Sequence, residues 1–138
     1  MYYLLSHKFK QMPIQFKPRI YIAGKMTGLS PEMVYEKFHR AARWIESNQF
    51  EAVLPPLNDL SPEMWYNNML ICLNTLLECD VIYLLQDWEN SDGAKVEYLF
   101  ACKAQKIIIK QKNNDLSYLD DLYILKEMFK IEKSPLKH

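Results

Sequence analysis

The stretch "RIYIAGKMTGLSPEM", residues 19–33, holds a strand, a loop and the start of a helix. Its first five residues, "RIYIA", are nearly all apolar and have the length of a buried strand. Glycines at positions 24 and 28 then predict a tight loop. In "SPEM", Ser30 suits the N-cap and Pro31 the first helical position, so a helix should begin there. A buried strand that leads through a glycine loop into a helix is the first unit expected of a parallel α/β sheet.

The same alternation of apolar runs and helices continues along the chain. Three more strands are predicted from "FEAVLPP" (residues 50–56), "DVIYLL" (80–85) and "KIIIK" (106–110). Further helices are predicted from a second "SPEM" at residues 61–64, with Ser61 at the N-cap, after residue 91, and from about residue 117 to 130. The first of these helices carries Trp65, Met69, Cys72 and Leu76 on one apolar stripe. Short, nearly all-apolar strands between helices indicate a parallel sheet covered on both faces.

The predicted fold class is therefore α/β, with a three-layer open parallel sheet. A flavodoxin-like winding with the first strand central is expected, and a ligand should bind beyond the carboxyl ends of the strands. We assign residues 19–131 to one domain, because 138 residues suit a single domain. Residues 1–18 are predicted to be an irregular lead-in, since they carry two prolines and no clear period, and residues 132–138 a polar tail.

Composition excludes several classes of function. The 17 basic and 17 acidic residues leave no net charge to attract nucleic acid or a membrane surface. No apolar run approaches the roughly 20 residues of a membrane span, and we expect a cytoplasmic protein. The three cysteines form no CxxC pair and are predicted to be reduced core residues; with three scattered histidines they give no metal-ligand spacing, so no metal site is predicted.

The segment "SDGAKVEYLF", residues 91–100, places Glu97 among residues that should face the core. A capping box does not explain this glutamate, because with a cap at residue 91, 92 or 93 the third helical position is 94, 95 or 96. Two interpretations stay open. Glu97 could be partly solvated at the helix edge, or it could be a functional carboxylate near a helix start, where an anion is stabilised.

The first strand and its loop supply further candidates. Tyr21 lies in mid-strand and could be an ordinary core aromatic, although a buried hydroxyl needs a partner. The loop from Gly24 to Gly28 carries Lys25 and Thr27, which suit a phosphate or a sugar, but the lysine could equally be solvated. At the carboxyl edge of the sheet this loop should lie beside "QDWENSDG", residues 86–93.

The segments "IYIAGKMTGLS", "LLECDVIYLL" and "WENSDGAKVEYLFA" together resemble a phage and bacterial family related to nucleoside 2-deoxyribosyltransferases and 2'-deoxynucleoside 5'-phosphate N-hydrolases. The resemblance covers roughly residues 19–109. It implies a nucleoside deoxyribosyltransferase-like fold and a retaining attack on an N-glycosidic bond. Glu97 would be the nucleophile, and Tyr21 would hold it by a hydrogen bond.

The resemblance also implies a substrate. Ser91 stands six residues before Glu97, where the phosphate-preferring relatives carry serine, which favours a 5'-phosphorylated nucleoside. Lys25 and Thr27 would contact the phosphate, and Trp88 could stack on the base, although an aromatic residue there is more often packing. The predicted substrate-binding residues are Gly24, Lys25, Met26, Thr27, Gly28, Asp87, Trp88, Ser91, Asp92 and Gly93.

One position departs from the pattern of the relatives. Their general acid is an aspartate eight residues before the aspartate that precedes the third strand, and here that position is Cys72. A thiol in an apolar stripe is a poor acid. Asp80 precedes the third strand and should be too distant, whereas Asp87, Glu89 and Asp92 lie at the correct end and could replace it. Asn68, one turn before Cys72, could bind the base.

The leading functional hypothesis is cleavage or transfer at the N-glycosidic bond of a nucleoside or nucleoside 5'-monophosphate. The alternative is a non-catalytic nucleotide-binding or sensing module that uses the same cleft, which Cys72 favours. A flavin-binding protein is a third reading, but the loop lacks a Ser/Thr-rich phosphate cradle, and no cofactor is predicted. Related proteins form homo-oligomers in which a neighbour completes the site, so we expect at least a dimer; exposed Tyr2, Tyr3 and Tyr66 would allow one.

Overall fold

A computed structural model describes residues 17–112 and 119–130 of the chain. The predicted polar tail, and all of the predicted lead-in except residues 17 and 18, lie outside the described residues. Tyr2 and Tyr3 lie outside them too. The predicted domain is therefore described over most of its length, with a gap before the last helix.

Parallel strands form the sheet at the centre of the fold. They are β1 (Arg19–Ala23), β2 (Glu51–Val53), β3 (Val81–Leu84) and β4 (Ile107–Lys110). All three pairings are parallel, and the strand order is β2-β1-β3-β4. Tyr21 is paired with Ile82 of β3, so the first and third strands lie side by side in the middle of the sheet. The α/β class and the parallel sheet are as predicted from the apolar runs.

The helices alternate with the strands. They are α1 (Pro31–Ser47), α2 (Trp65–Leu77), α3 (Asp92–Lys103) and α4 (Leu119–Met128). Short 3₁₀ turns at Pro62–Met64 and Trp88–Asn90 precede α2 and α3. In the part of the chain that is described, no helix has both the length and the apolar character needed to cross a bilayer.

The two copies of "SPEM" begin their helices differently. Ser30 caps α1 as predicted, because its side chain accepts a hydrogen bond from the Met33 amide at 3.2 Å. Ser61 makes no such bond. The second copy instead forms the 3₁₀ turn, and the α-helix begins only at Trp65. The prediction that Ser61 caps α2 is therefore wrong.

The two faces of the sheet have separate apolar cores. Ile20 and Ile22 of β1 pack in one cluster with buried residues of α1 and α4. Tyr21 and Ala23 point to the other face, where α2 and α3 pack. This alternation follows from the two-residue period of a strand. It places the Tyr21 side chain between the sheet and the α2–α3 layer.

The three cysteines do not share one environment. Cys72 and Cys79 are buried in the α2–α3 layer, as predicted for core cysteines, and both are free thiols. Cys102 is exposed on α3, so the prediction of a core residue is wrong there. It lies one position after the buried Ala101 and therefore on another side of the helix.

Candidate active site

The central feature of the site is a hydrogen bond between strand β1 and helix α3. The Tyr21 hydroxyl donates to Oε2 of Glu97. Tyr21 is fully buried, and Glu97 is only 4% exposed. Ser91 is the N-cap of α3, which places Glu97 at the sixth helical position and excludes a capping box. The burial also excludes a glutamate solvated at the helix edge.

Burial changes the protonation of both partners. Loss of solvent raises the pKa of the Glu97 carboxyl to about 7, although hydrogen bonds from Tyr21 and Cys72 act to lower it. Burial, and then the charge of Glu97, raises the pKa of Tyr21 well above its usual range. Tyr21 therefore stays a hydrogen-bond donor at neutral pH. Glu97 is divided between its neutral and ionised forms near pH 7.

Cys72 of α2 completes a buried cluster with these two residues. Its thiol interacts with both the Tyr21 hydroxyl and the Glu97 carboxyl. Burial, reinforced by the charge of Glu97, raises the pKa of this thiol to about 12. The thiol is consequently neutral at physiological pH and is a very weak acid. Cys72, the position where the sequence resemblance implies a general acid, thus lies beside the glutamate as a neutral thiol.

A cavity of about 610 Å³ opens beside Glu97, at the carboxyl edge of the sheet. We call it the Glu97 cavity. The loop after β1 lines it with Gly24, Lys25, Met26 and Thr27, and the start of α3 lines it with Ser91, Asp92 and Gly93. Cys72 and Glu97 form part of its floor. This volume lies within the range of small-molecule sites, roughly 300–1,000 Å³.

The start of α3 is suited to an anion. The Ser91 hydroxyl accepts from the Ala94 amide at 3.1 Å, and its own proton remains able to donate. The amides of the first helical turn have no partner within the helix, and the helix dipole adds positive potential there. Gly93 belongs to this turn, and an added Cβ would lie 3.3 Å from Sδ of Met69. The missing side chain therefore keeps the helix backbone open to the cavity.

An ion pair outside the cavity holds the loop that follows β1. Asp87 accepts from the Lys25 amide at 3.0 Å and from Nζ of Lys37 at 2.7 Å. Lys37 also donates to the Lys25 carbonyl. We call this arrangement of Asp87 and Lys37 the loop clamp. Its two side chains line a second cavity of about 750 Å³ on the α1 side of the sheet.

Three predicted binding residues do not line the Glu97 cavity. Asp87 belongs to the loop clamp. Trp88 stacks near Tyr98, with ring centroids 4.8 Å apart, and Nζ of Lys110 lies 5.3 Å from its centroid. Gly28 lies farther along the loop, where its φ of +84° favours glycine, so it shapes the turn. A packing role for Trp88 and a turn at Gly28 were both considered from the sequence, whereas the ion pair of Asp87 was not.

Other residues also line the cavity. Asn68 of α2 was considered as a contact for the base, whereas Trp65 and Met69 of α2 were not predicted to bind, nor were Pro56, Leu60, Ser61, Pro62 and Asn90. Trp65 was assigned to the apolar stripe of its helix, yet it is 38% exposed. A signal existed, because α2 follows a strand and its first turn must begin near the carboxyl edge of the sheet. Asn68 donates to the Asp59 carbonyl at 2.7 Å, which orients its amide at the cavity.

The carboxylates considered as replacements for an acid at position 72 lie outside the cavity or at its rim. Asp80 accepts from the Arg19 amide at the amino end of the sheet, as expected for a residue that precedes β3. Glu89 is exposed and lies outside the cavity lining. Asp92 is at the rim, with its side chain 92% exposed and 3.8 Å from Nζ of Lys95. Within residues 17–112 and 119–130, no group of three or more His, Cys, Asp or Glu side chains could hold a metal ion.

Comparisons with known proteins add a family and no activity. A family model described as a domain of unknown function, DUF4406, matches residues 18–110. The matched region begins just before β1 and ends with β4, so it includes the whole sheet and the Tyr21–Glu97 pair. Comparison with curated proteins gives no match.

Proposed function

The chain belongs to the DUF4406 family, and we propose that this member cleaves or transfers the N-glycosidic bond of a nucleoside or nucleoside 5'-monophosphate, with Glu97 as the nucleophile. The observation that carries the proposal is the buried Glu97 carboxyl at the wall of a cavity, held by the Tyr21 hydroxyl. In the described part of the chain no ion pair involves Glu97. A buried carboxyl without a cation destabilises the fold, and chemistry at the cavity explains its presence.

The arrangement suits covalent catalysis at an anomeric carbon. A carboxylate oxygen of Glu97 attacks C1' of the sugar as the bond to the base breaks, and an acceptor such as water later displaces the sugar from the resulting ester. Tyr21 fixes the carboxylate and donates to one oxygen, leaving the other for attack. The pKa of about 7 leaves a substantial ionised fraction at neutral pH.

A 5'-phosphate fits the opposite part of the cavity. Ser91, the first-turn amides of α3 and the Lys25 ammonium offer donors and positive potential to a phosphate. The loop clamp supports this use, because it holds the backbone of Lys25 on both its amide and its carbonyl. The small-molecule partner proposed here is therefore a nucleotide in preference to a free nucleoside.

The finer fold assignment belongs to the same proposal. The strand order β2-β1-β3-β4, with β1 inside the sheet, supports a flavodoxin-like winding of the nucleoside deoxyribosyltransferase-like kind. A homo-oligomer is part of it as well, and the 76% exposed Tyr66 on α2 is compatible with a contact between copies. A cytoplasmic location stays a prediction.

Release of free base from a panel of nucleoside monophosphates and nucleosides, followed by chromatography, tests the proposal. Glu97→Gln keeps the shape of the side chain and removes the nucleophile, so base release should fall at least about 10³-fold. Glu89→Gln makes the same chemical change in an exposed turn outside the cavity and should retain wild-type release. Equal loss in both variants, or release that persists in Glu97→Gln, contradicts the assignment.

A non-catalytic nucleotide sensor is the second candidate, because a thiol of pKa about 12 occupies the position of the acid. Calorimetric titration of the same nucleotides separates the two functions. Tight binding without release of base from any nucleotide in the panel supports the sensor. Release that depends on Glu97 supports the enzyme.

A further inference from the structure

We infer that the Glu97 cavity acts on nucleotides whose base is already cationic at the glycosidic nitrogen, such as N-ribosyl pyridinium or N7-alkylpurine nucleotides. The inference rests on the proposed function, since it assumes that Glu97 attacks the sugar. It concerns the leaving group. A neutral purine or pyrimidine departs as an anion unless an acid protonates it, whereas a cationic base departs neutral and needs no acid.

The first observation is what the cavity offers as an acid. Its carboxyl groups, among the described residues, are those of Glu97 and Asp92. Glu97 acts as the nucleophile at C1' and cannot protonate the base in the same step. Asp92 lies at the rim, with its side chain 92% exposed and 3.8 Å from Nζ of Lys95, so it is not enclosed with the base. Cys72, beside the glutamate, is a neutral thiol that gives up its proton only far above physiological pH.

The second observation is that the remaining acids near this edge are committed elsewhere. Asp87 is paired with Lys37 at 2.7 Å and with the Lys25 amide, on the far side of the loop. Glu89 is exposed outside the cavity lining. Among the described residues, the cavity therefore offers Glu97 as the nucleophile and no second buried carboxyl that could protonate the base.

The third observation is the wall that α2 presents to a base. Trp65 and Met69 line it, an indole and a thioether, and the ionised form of Glu97 adds a negative charge to the same cavity. A cationic ring is attracted by the face of tryptophan and by a carboxylate, and it contacts methionine sulfur favourably. A neutral base gains less from the same wall.

The reaction balances with water as the only co-reactant. An oxygen of the Glu97 carboxylate forms a bond to C1', the C1'–N bond breaks, and its electron pair neutralises the ring nitrogen. Water then attacks C1', the ester bond to Glu97 breaks, and the carboxylate is restored. In total one nucleotide and one water give the neutral base, the sugar phosphate and one proton.

Two nucleotides that differ by one methyl group at N7, and therefore in the charge of the base, supply the test. N7-methylguanosine 5'-monophosphate and guanosine 5'-monophosphate are incubated with wild-type protein and with Glu97→Gln, and nicotinamide mononucleotide serves as the pyridinium probe. The release measured in Glu97→Gln is subtracted, because the methylated nucleotide also decays by itself. Positioned acids contribute about 10²–10⁴-fold, so the cationic nucleotides should react at least about 10²-fold faster in kcat/KM.

The outcomes separate this inference from the proposed function. Comparable Glu97-dependent release from both guanine nucleotides overturns the inference and leaves the proposed function intact, because an acid must then be supplied, for instance by a second copy of the chain. No Glu97-dependent release from any nucleotide overturns both. Selective release from the cationic nucleotides supports both.

Cys72→Asp provides a second measurement on the same inference. An aspartate at this position adds an acid beside Glu97, and the neighbouring carboxyl raises its pKa further. Release of guanine from guanosine 5'-monophosphate should then rise and the preference for the methylated nucleotide should fall, with circular dichroism confirming the fold. An unchanged preference in a folded Cys72→Asp variant counts against a missing acid as its cause.

Discussion

Two carboxylates, Asp87 and Glu97, lie near the carboxyl edge of the sheet and are held in opposite ways. Asp87 faces the α1 side, where the Lys37 ammonium and the Lys25 amide satisfy it. Glu97 faces the α2–α3 side, where its partners are a phenol and a thiol. The Asp87 carboxylate is paired with a cation and holds the loop that follows β1. The Glu97 carboxylate has no ion-pair partner among the described residues and lines a cavity. Under the proposed function, this difference separates a structural carboxylate from a catalytic one.

The pH dependence of stability gives the largest expected effect. The pKa of Glu97 is about 7 in the folded protein, above its usual value of 4.5, so the folded state holds this proton more tightly than the unfolded chain. The stabilisation is complete below about pH 4.5 and is lost as the pH rises through about 7. Urea unfolding should show wild type losing, relative to Glu97→Gln, on the order of 3 kcal/mol across this window.

The control for that measurement is Glu89→Gln, in an exposed turn, which should follow the wild-type curve throughout. A constant difference between wild type and Glu97→Gln from pH 4.5 to pH 8 would mean that Glu97 is not a buried acid. The comparison of the two carboxylates would then lose its basis.

Removing the Tyr21 hydroxyl tests how far the environment of Glu97 depends on this hydrogen-bond donor. In Tyr21→Phe the carboxylate loses a donor, so the pKa of Glu97 should rise above about 7 and the acidic limb of the rate profile should move to higher pH. The cost in stability should be about 1.5–3 kcal/mol at pH 8, since the bond is to a charged group. The measurements are a pH–rate profile and urea unfolding.

Tyr83→Phe is the matched control for this variant, because it removes the hydroxyl of a buried tyrosine in β3 on the opposite face of the sheet. Its pH–rate profile should coincide with that of wild type. A shift of equal size in both variants would assign the effect to general loosening of the sheet.

Breaking the loop clamp tests the other carboxylate. Asp87→Asn should cost about 1–2 kcal/mol of stability, since one charge-assisted bond to Lys37 is lost while the amide oxygen can still accept from Lys25. Under the proposed function KM for a nucleotide should rise more than kcat falls. Arg43→Met, which removes an exposed pair with Glu36, should cost under about 0.5 kcal/mol and leave KM unchanged. A fall in kcat alone would place Asp87 in the chemistry.

The smallest effect is expected from the cap of α3. Ser91→Ala removes the bond to the Ala94 amide and should lower the free energy of unfolding by about 1 kcal/mol. Ser91→Thr keeps a capping hydroxyl and should recover most of that loss. If phosphate binds there, Ser91→Ala also weakens binding of nucleoside monophosphates more than binding of nucleosides, and equal weakening of both contradicts a phosphate contact.

The strands could be predicted because short apolar runs between helices carry their own signal. The "RIYIA" run matches β1 residue for residue, and "KIIIK" includes all of β4. The start of α2 was mispredicted because Ser-Pro-Glu suits a 3₁₀ turn as well as an α-helix, and local chemistry alone does not distinguish them. The order of the strands within the sheet depends on pairing between segments that are distant in the sequence, and the apolar runs alone do not specify that pairing.

For the candidate site, the sequence singled out the residue that violates the pattern of its own helix. Glu97 was noticed because a carboxylate stands among core positions, and the structure buries it against Tyr21. Trp65 broke no pattern, since an aromatic residue fits an apolar stripe, and its place in the cavity depends on how α2 packs beside α3. Trp88 drew attention by its position at a strand end, but its contacts with Tyr98 and Lys110 come from tertiary packing.

The pleat of β1 sets a parity rule for the hydrogen bond between Tyr21 and Glu97. Tyr21 reaches Glu97 because it occupies an odd position in a strand whose neighbours, Ile20 and Ile22, serve the opposite core. A slip of one residue in the pairing of β1 would present isoleucine to the carboxylate and bury the phenol against α1. Insertions or deletions that keep the hydrogen bond must therefore come in even numbers within the strand, or else fall outside it.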